Sequence, residues 1–190
     1  MQRWSDELGF NYQPEELGPF EILKMPFRYG VWSFNRFVDN ACSGTWKDRS
    51  FVLYDLHQGD DAASSCVILG VPLWCPDLLV APSSVPYRLA DELGAQQIEF
   101  ESIEFNERFQ VRCDDSRFAH TVIDGRMMEL LMRLDTPPQR RYVFEFAGSW
   151  LLCMTGMLDT TDLPDAGVAV LDRIPDLVYD LYPPPPVEAE

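Results

Sequence analysis

Two apolar segments joined by a short polar connection constrain the fold of this chain more than any other feature. Residues 49–59 (RSFVLYDLHQG) alternate so that both faces of an extended segment carry apolar side chains, which is typical of a central strand. Residues 66–74 (CVILGVPLW) are a second apolar run, and the small polar residues 60–65 separate the two. Because so short a connection suits antiparallel neighbours, the sequence predicts an antiparallel pair at the centre of a sheet.

Further strands are predicted from alternating apolar residues between Gly, Ser and Pro turn signals. They cover residues 30–46 with a turn at Ser43-Gly44, residues 76–82, 95–102 and 109–113, and a hairpin at 140–154 that turns at Gly148-Ser149. The strands do not alternate regularly with helices, so the pattern favours antiparallel pairing.

Helices are predicted where apolar residues recur at spacings of three and four behind capping residues. Residues 83–94 begin with Ser and end with Gly, and residues 114–134 begin with an Asp pair and are interrupted at Gly125. Residues 162–181 form the last helical pattern. Pro175 lies inside it and should kink or split that helix, because proline lacks an N–H and crowds the preceding turn.

The order of these segments predicts a single α+β domain with an antiparallel sheet, inserted helices and a kinked C-terminal helix. A chain of 190 residues with 46% hydrophobic residues is long enough for one substantial core. We expect residues 1–182 to form the domain and residues 183–190 to be a Pro-rich, acidic tail exposed to solvent.

The charge of the chain limits its partners. The formal net charge is −16, which disfavours direct binding to nucleic acid and to anionic membrane surfaces and leaves basic protein surfaces as partners. The longest apolar run, residues 66–82, is interrupted by Pro72, Pro76 and Asp77, so no membrane insertion is expected. No secretory signal is recognisable at the N-terminus, and we expect a cytoplasmic protein.

No motif for a cofactor, a metal or a catalytic nucleophile is recognisable, and none is predicted. Residues 55–61 (DLHQGDD) combine His and carboxylates, but a metal site would need further ligands from elsewhere, and a polar loop is the favoured interpretation. The five cysteines form no C-x-x-C pair and are expected to be reduced, structural thiols. They are Cys42, Cys66, Cys75, Cys113 and Cys153.

Residues 99–120 are the densest mixture of polar and ionisable residues in the chain. Four carboxylates there are interpreted as the polar face around a strand and as candidates for partner binding, and two tryptophans flanked by polar residues are further candidates. These residues are Glu99, Glu101, Glu104 and Glu107, with Trp4 and Trp46. An enzyme using these carboxylates, or a Cys113/His120 pair, remains the alternative.

The order of landmarks along nearly the whole chain, from residues 8–16 (LGFNYQPEE) to residues 174–182 (IPDLVYDLY), resembles a family of uncharacterised bacterial proteins, most familiar from actinobacteria. The most specific part of the resemblance is an F-E-S-x-x-F-N-x-x-F-x-V run. It matches Phe100, Glu101, Ser102, Phe105, Asn106, Phe109 and Val111. The resemblance implies one intact domain spanning nearly the whole chain and carries no established activity. Relatives often have membrane helices before this domain, which this sequence lacks, so a membrane tether is not implied.

A cytoplasmic interaction module or accessory subunit is therefore the favoured functional hypothesis. It would dock through its acidic, aromatic-bearing surface to a protein with a basic surface. Two alternatives remain open: a carboxylate- or Cys/His-dependent enzyme, and an acidic inhibitor such as a toxin-neutralising protein.

Overall fold

The computed structural model describes residues 1–14, 27, 36–58, 62–84, 96–135, 141–156 and 161–184. The helix predicted at residues 83–94 lies almost wholly outside these residues, as does most of the strand predicted over residues 30–37. The last part of the predicted tail, residues 185–190, is outside them as well.

The described residues form six helices and seven strands. The helices are α1 (Gln2–Leu8), α2 (Ile103–Arg108), α3 (Ser116–Val122), α4 (Gly125–Leu134), α5 (Leu163–Leu171) and α6 (Asp176–Leu181). The strands are β1 (Asn11–Gln13), β2 (Arg36–Trp46), β3 (Arg49–Gln58), β4 (Ala62–Pro82), β5 (Gln96–Ile98), β6 (Phe109–Cys113) and β7 (Tyr142–Thr155).

All seven strands belong to one antiparallel sheet, which confirms the predicted α+β class. The order is β1-β2-β3-β4-β6-β5, and β7 pairs with β4. Strand β4 is the centre: residues 65–69 pair with both β3 and β7, and residues 78–80 pair with both β6 and β7. The predicted antiparallel pairing of residues 49–59 with residues 66–74 is therefore confirmed.

Strands β4 and β7 are longer than the sequence predicts. Two separate strands and a hairpin turning at Gly148 were predicted, whereas β4 runs unbroken for 21 residues and β7 for 14. The pairing register shifts between Gly70 and Leu78, and Pro72 and Pro76 lie in this bulged part, where a missing N–H costs least. Gly148 has a φ of 56° and pairs with β4 at this bulge, so its left-handed backbone marks a bulge and not a turn.

The turn between β2 and β3 is also displaced from the prediction. Ser43 and Gly44 lie inside β2, and the chain reverses instead at Lys47 and Asp48. Both of these residues have positive φ, 46° and 63°, as the centre of a tight type I′ hairpin requires. Neither residue is glycine, which is why the turn is hard to see in the sequence.

The helices cover one face of the sheet. The larger core cluster joins residues of that face to buried side chains of α2–α5 and to Val178 of α6. Helix α5 packs closest, because a Cβ at Gly167 would collide with the Leu69 side chain and lie 3.0 Å from the Cys153 sulfur. A smaller cluster on the other face includes Phe27, Tyr54 and Ile68. Within the described ranges, no helix is both long enough and apolar enough to cross a membrane.

The C-terminal helix is split as predicted. Helix α5 ends at Leu171, and α6 begins at Asp176 directly after Pro175, which occupies the N-cap position with extended backbone. Proline fits there because the first N–H groups of a helix have no intrahelical partner. Two short helices therefore replace one long one.

Candidate functional site

The acidic stretch after β5 is built on a helix, α2, where the sequence had been interpreted as the polar face around a strand. Ser102 caps this helix, its Oγ accepting a hydrogen bond from the Phe105 N–H at 3.2 Å. The Asn106 side chain holds the preceding loop by donating to the Phe100 carbonyl at 2.7 Å and accepting from the Phe100 N–H at 3.0 Å. The backbone that carries the four glutamates is thus held by side-chain hydrogen bonds on both sides of the cap.

The inner side of α2 anchors it in the core. Phe105 is fully buried and stacks on Phe109, with ring centroids 5.0 Å apart, while the part-buried Phe100 meets Phe105 edge-on at 5.5 Å. Val111 follows in the same cluster. The phenylalanines of the matched run therefore share one core cluster with Val111.

The outer side of α2 presents an exposed apolar residue among carboxylates. Ile103 is 76% exposed, which the sequence did not predict. All four candidate glutamates are exposed around it. We call this group the Ile103 surface; it consists of Glu99, Glu101, Ile103, Glu104 and Glu107. An enzyme would need the carboxylates to converge in a water-excluding pocket, and exposed side chains do not supply that environment.

A shallow groove of about 640 Å³ adjoins the Ile103 surface, between α2 and α4. Its lining residues are Glu104, Arg108, Glu129, Met132 and Arg133. Arg108 fixes the two helices together, because its Nη2 donates to the Met132 carbonyl and to Asp135 Oδ2, both at 3.0 Å. The two helices that line the groove are therefore held together by hydrogen bonds.

Cys113 and His120, the alternative catalytic pair, do not form a nucleophile and base. The Cys113 thiol donates to the Asp115 carbonyl at 3.0 Å, and burial raises its pKa to about 11, so it stays protonated at neutral pH. His120 is exposed, and its ring packs against Phe100 at 5.0 Å. A protonated, buried thiol is a structural group.

The other cysteines are likewise buried and free, as predicted. Burial raises the pKa of Cys75 to about 12 and raises the pKa of Cys42 and of Cys153. Each thiol therefore packs as a small apolar group.

The two candidate tryptophans lie together at the opposite end of the sheet from α2. Trp4 of α1 is 5.5 Å from Trp46 of β2 and 5.2 Å from Phe10, measured between ring centroids. Trp46 also donates from Nε1 to Asp165 Oδ1 at 3.1 Å. Both rings are half-buried and attach α1 to the sheet. A more exposed tryptophan, which the sequence did not single out, is Trp74, whose exposed fraction is 55%.

A buried polar network includes Asp55. The strand predicted over residues 49–59 included this residue, and it lies within β3, although the interpretation of residues 55–61 as a polar loop had also covered it. Asp55 is 2% exposed and accepts hydrogen bonds from Ser65 Oγ at 2.6 Å and Asn40 Nδ2 at 3.2 Å. Asn40 in turn accepts from the Tyr12 hydroxyl at 2.7 Å. The network ties β1 to the central strands.

His57, also in β3, faces Asp39. Its Nε2 is 3.0 Å from Asp39 Oδ1. Asp60 and Asp61, the other acidic residues of that segment, lie outside the described residues. Where the structure describes the chain, no three His, Cys, Asp or Glu side chains are grouped so that they could hold a metal.

Comparison with known proteins gives a family match and a fold. A family model described as a protein of unknown function (DUF3137) matches residues 81–157, which include the whole Ile103 surface. No curated protein matches the chain in sequence. The fold is similar to the crystal structure of the mycobacterial trehalose monomycolate transport factor A, with a TM-score of 0.67 and 14% identity over 97% of this chain and 95% of that one. The resemblance to an uncharacterised family is consistent with these matches, and the chain shares the fold of that transport factor.

Proposed function

We propose that this protein is an interaction module, an accessory subunit that docks to a protein partner through the Ile103 surface. The observation that carries the proposal is the 76% exposure of Ile103 on a capped, core-anchored helix, surrounded by exposed carboxylates. An apolar side chain fixed in such a position is free to enter a pocket on a partner without a cost for ordering the backbone.

Ile103 and the glutamates would contribute to binding in different ways. Burying an isoleucine side chain stabilises a complex by about 1.5–3 kcal/mol, so Ile103 would supply much of the affinity. The glutamates would steer encounter and select a basic surface, since complementary charge mainly affects association rate and specificity. The net charge of −16 acts in the same direction.

The named function of the structural neighbour supports an accessory role. That protein is called a transport factor, a name for a component of a transport process. Because the likeness is one of fold, we take from it only the proposal that this chain, too, assists a larger assembly.

The test is affinity purification of the tagged protein from its own cells, in low and then moderate salt, with proteins identified by mass spectrometry. The wild type is compared with Ile103→Ser and with Leu8→Ser, a matched control because Leu8 is 47% exposed on α1. Helix α1 contacts β1, at the other edge of the sheet from β5.

We expect one stoichiometric partner that Leu8→Ser retains and Ile103→Ser loses. With the purified pair, Ile103→Ser should weaken binding about 10- to 100-fold, corresponding to the loss of one buried isoleucine. A partner held equally by both variants would refute docking through Ile103. Recovery of the protein alone, at monomer mass, would refute a stable partner.

A further inference from the structure

An exposed aromatic residue lies in the bulged part of β4. Trp74 is 55% exposed, although its neighbours Leu73 and Cys75 are buried in the core. Its backbone N–H donates to the Tyr182 carbonyl at 3.1 Å, so the C-terminal end of α6 lies beside it. Residues 71–75 alternate between buried and exposed, as in a regular strand, so the indole of Trp74 lies on the solvent side of β4.

Helix α6 brings a second exposed apolar residue to the same corner of the molecule. Leu177 is 56% exposed. It lies five residues before Tyr182, which is about 7–8 Å along the helix axis at a rise of about 1.5 Å per residue. The helix is held by the fully buried Val178 and by Tyr182, whose hydroxyl donates to Asp115 Oδ2 at 2.8 Å and whose ring meets Phe118 at 4.9 Å. Trp74 is thus hydrogen-bonded to the residue that follows α6, and Leu177 lies on α6 itself.

The charge of α6 indicates what covers this corner. Asp176 and Asp180 are exposed, one turn apart on either side of Leu177, and α6 contains no basic residue. Arg49 bonds to Tyr179 of α6, but its charge is paired with Asp172 at 3.3 Å. A second copy of the chain would bring the same carboxylates face to face, which like-charge repulsion disfavours. A segment with Lys or Arg beside apolar side chains would match both features.

We propose that Trp74 and Leu177, with Asp176 and Asp180, form a second docking surface for a basic, apolar segment of another protein. We call it the Trp74 surface. Helix α3 lies between it and the Ile103 surface, because His120 contacts Phe100 at one end of α3 whereas Asp115 contacts Tyr182 at the other. The Trp74 surface therefore stands independently of the function proposed for Ile103.

The test places a photo-cross-linking amino acid at position 177 of the full chain, expressed in its own cells, with position 8 as the matched exposed control. We expect a cross-link from position 177 to another protein, and the cross-linked peptide should carry Lys or Arg next to apolar residues. Trp74→Ser should reduce this cross-link at least fivefold, whereas Ile103→Ser should leave it unchanged.

Several results would overturn the proposal. They are a cross-link to a second copy of this chain or to lipid, a peptide without basic residues, a yield no higher than from position 8, or no effect of Trp74→Ser. Circular dichroism and thermal melting verify that Trp74→Ser is folded, which we expect because the indole is exposed. Asp180→Asn is a second variant, which removes one charge and keeps the shape of the side chain. It should lower the cross-link yield from position 177 in low salt, and an unchanged yield would contradict the charge argument.

Discussion

Asp115 is predicted to contribute more to stability than an ordinary helix cap. Its Oδ1 caps α3 by accepting from the N–H groups of Arg117 and Phe118, while its Oδ2 accepts from the Tyr182 hydroxyl. The hydrogen bond from Tyr182 is the first cause of the lowered pKa of Asp115, and capping adds to it. Asp115→Ala removes both interactions.

A matched control is available in the next helix. Asp124 caps α4 by accepting from the Met127 N–H at 2.8 Å, and no tyrosine of the described ranges is hydrogen-bonded to that cap. Losing a cap costs about 1 kcal/mol. A hydrogen bond to a charged group contributes about 1.5–3 kcal/mol, and the lower end applies here because Asp115 is partly exposed to water.

We therefore expect Asp115→Ala to cost about 2–3 kcal/mol and Asp124→Ala about 1 kcal/mol. For a chain of this size these losses correspond to a fall in Tm of about 4–12 °C and about 2–4 °C. Urea unfolding of the single variants and of each combined with Tyr182→Phe measures the coupling, which should be about 1 kcal/mol for Asp115 and near zero for Asp124. Equal costs for the two variants, or additivity of Asp115→Ala with Tyr182→Phe, would refute the reasoning.

Three further predictions concern stability and reactivity. Burial and the hydrogen bond to Asp115 raise the pKa of Tyr182 to about 12. Because this tyrosine ionises at a lower pH in the unfolded chain, the free energy of unfolding should fall between roughly pH 10 and 12, and Tyr182→Phe should remove this part of the loss of stability at alkaline pH. Gly167→Ala should destabilise by about 1–2 kcal/mol in urea unfolding, because crowding against Leu69 and Cys153 exceeds the gain in helix propensity; a more stable variant would contradict this close packing. The buried cysteines should react with a disulfide reagent only on unfolding, and rapid labelling of the native protein would disprove their burial.

The parts of the fold that the sequence predicted correctly depend on local chemistry. Asp115 caps α3 and Pro175 splits the last helix because capping and the missing proline N–H act within one turn. The alternation in β6 likewise appears as buried and half-buried residues in turn. Each of these features is decided by neighbours in the sequence.

Features that depend on distant partners were missed. Gly148 resembles a hairpin turn in sequence, but β4 pairs with β7 on both sides of it and turns the same glycine into a bulge. Helix α2 is only six residues long, too short for a periodic pattern, and depends on Ser102 and Asn106 and on packing of Phe105. The exposure of Ile103 and Trp74 follows from tertiary packing, so the sequence gives no signal for either.

The most direct test of the central claim is the salt dependence of the affinity between this protein and the partner recovered with it. The wild type is compared with a variant carrying Glu→Gln at Glu101, Glu104 and Glu107, and with a control carrying Asp6→Asn and Glu7→Gln on the remote helix α1. Exposed charges interact over a Debye length that shrinks from about 30 Å at ~0.01 M salt to about 8 Å at ~0.15 M. The account predicts that wild type and control lose affinity steeply as salt rises, and that the triple variant binds more weakly with a shallower dependence. Affinity that does not change with salt, or a triple variant with the wild-type dependence, would contradict docking through the Ile103 surface.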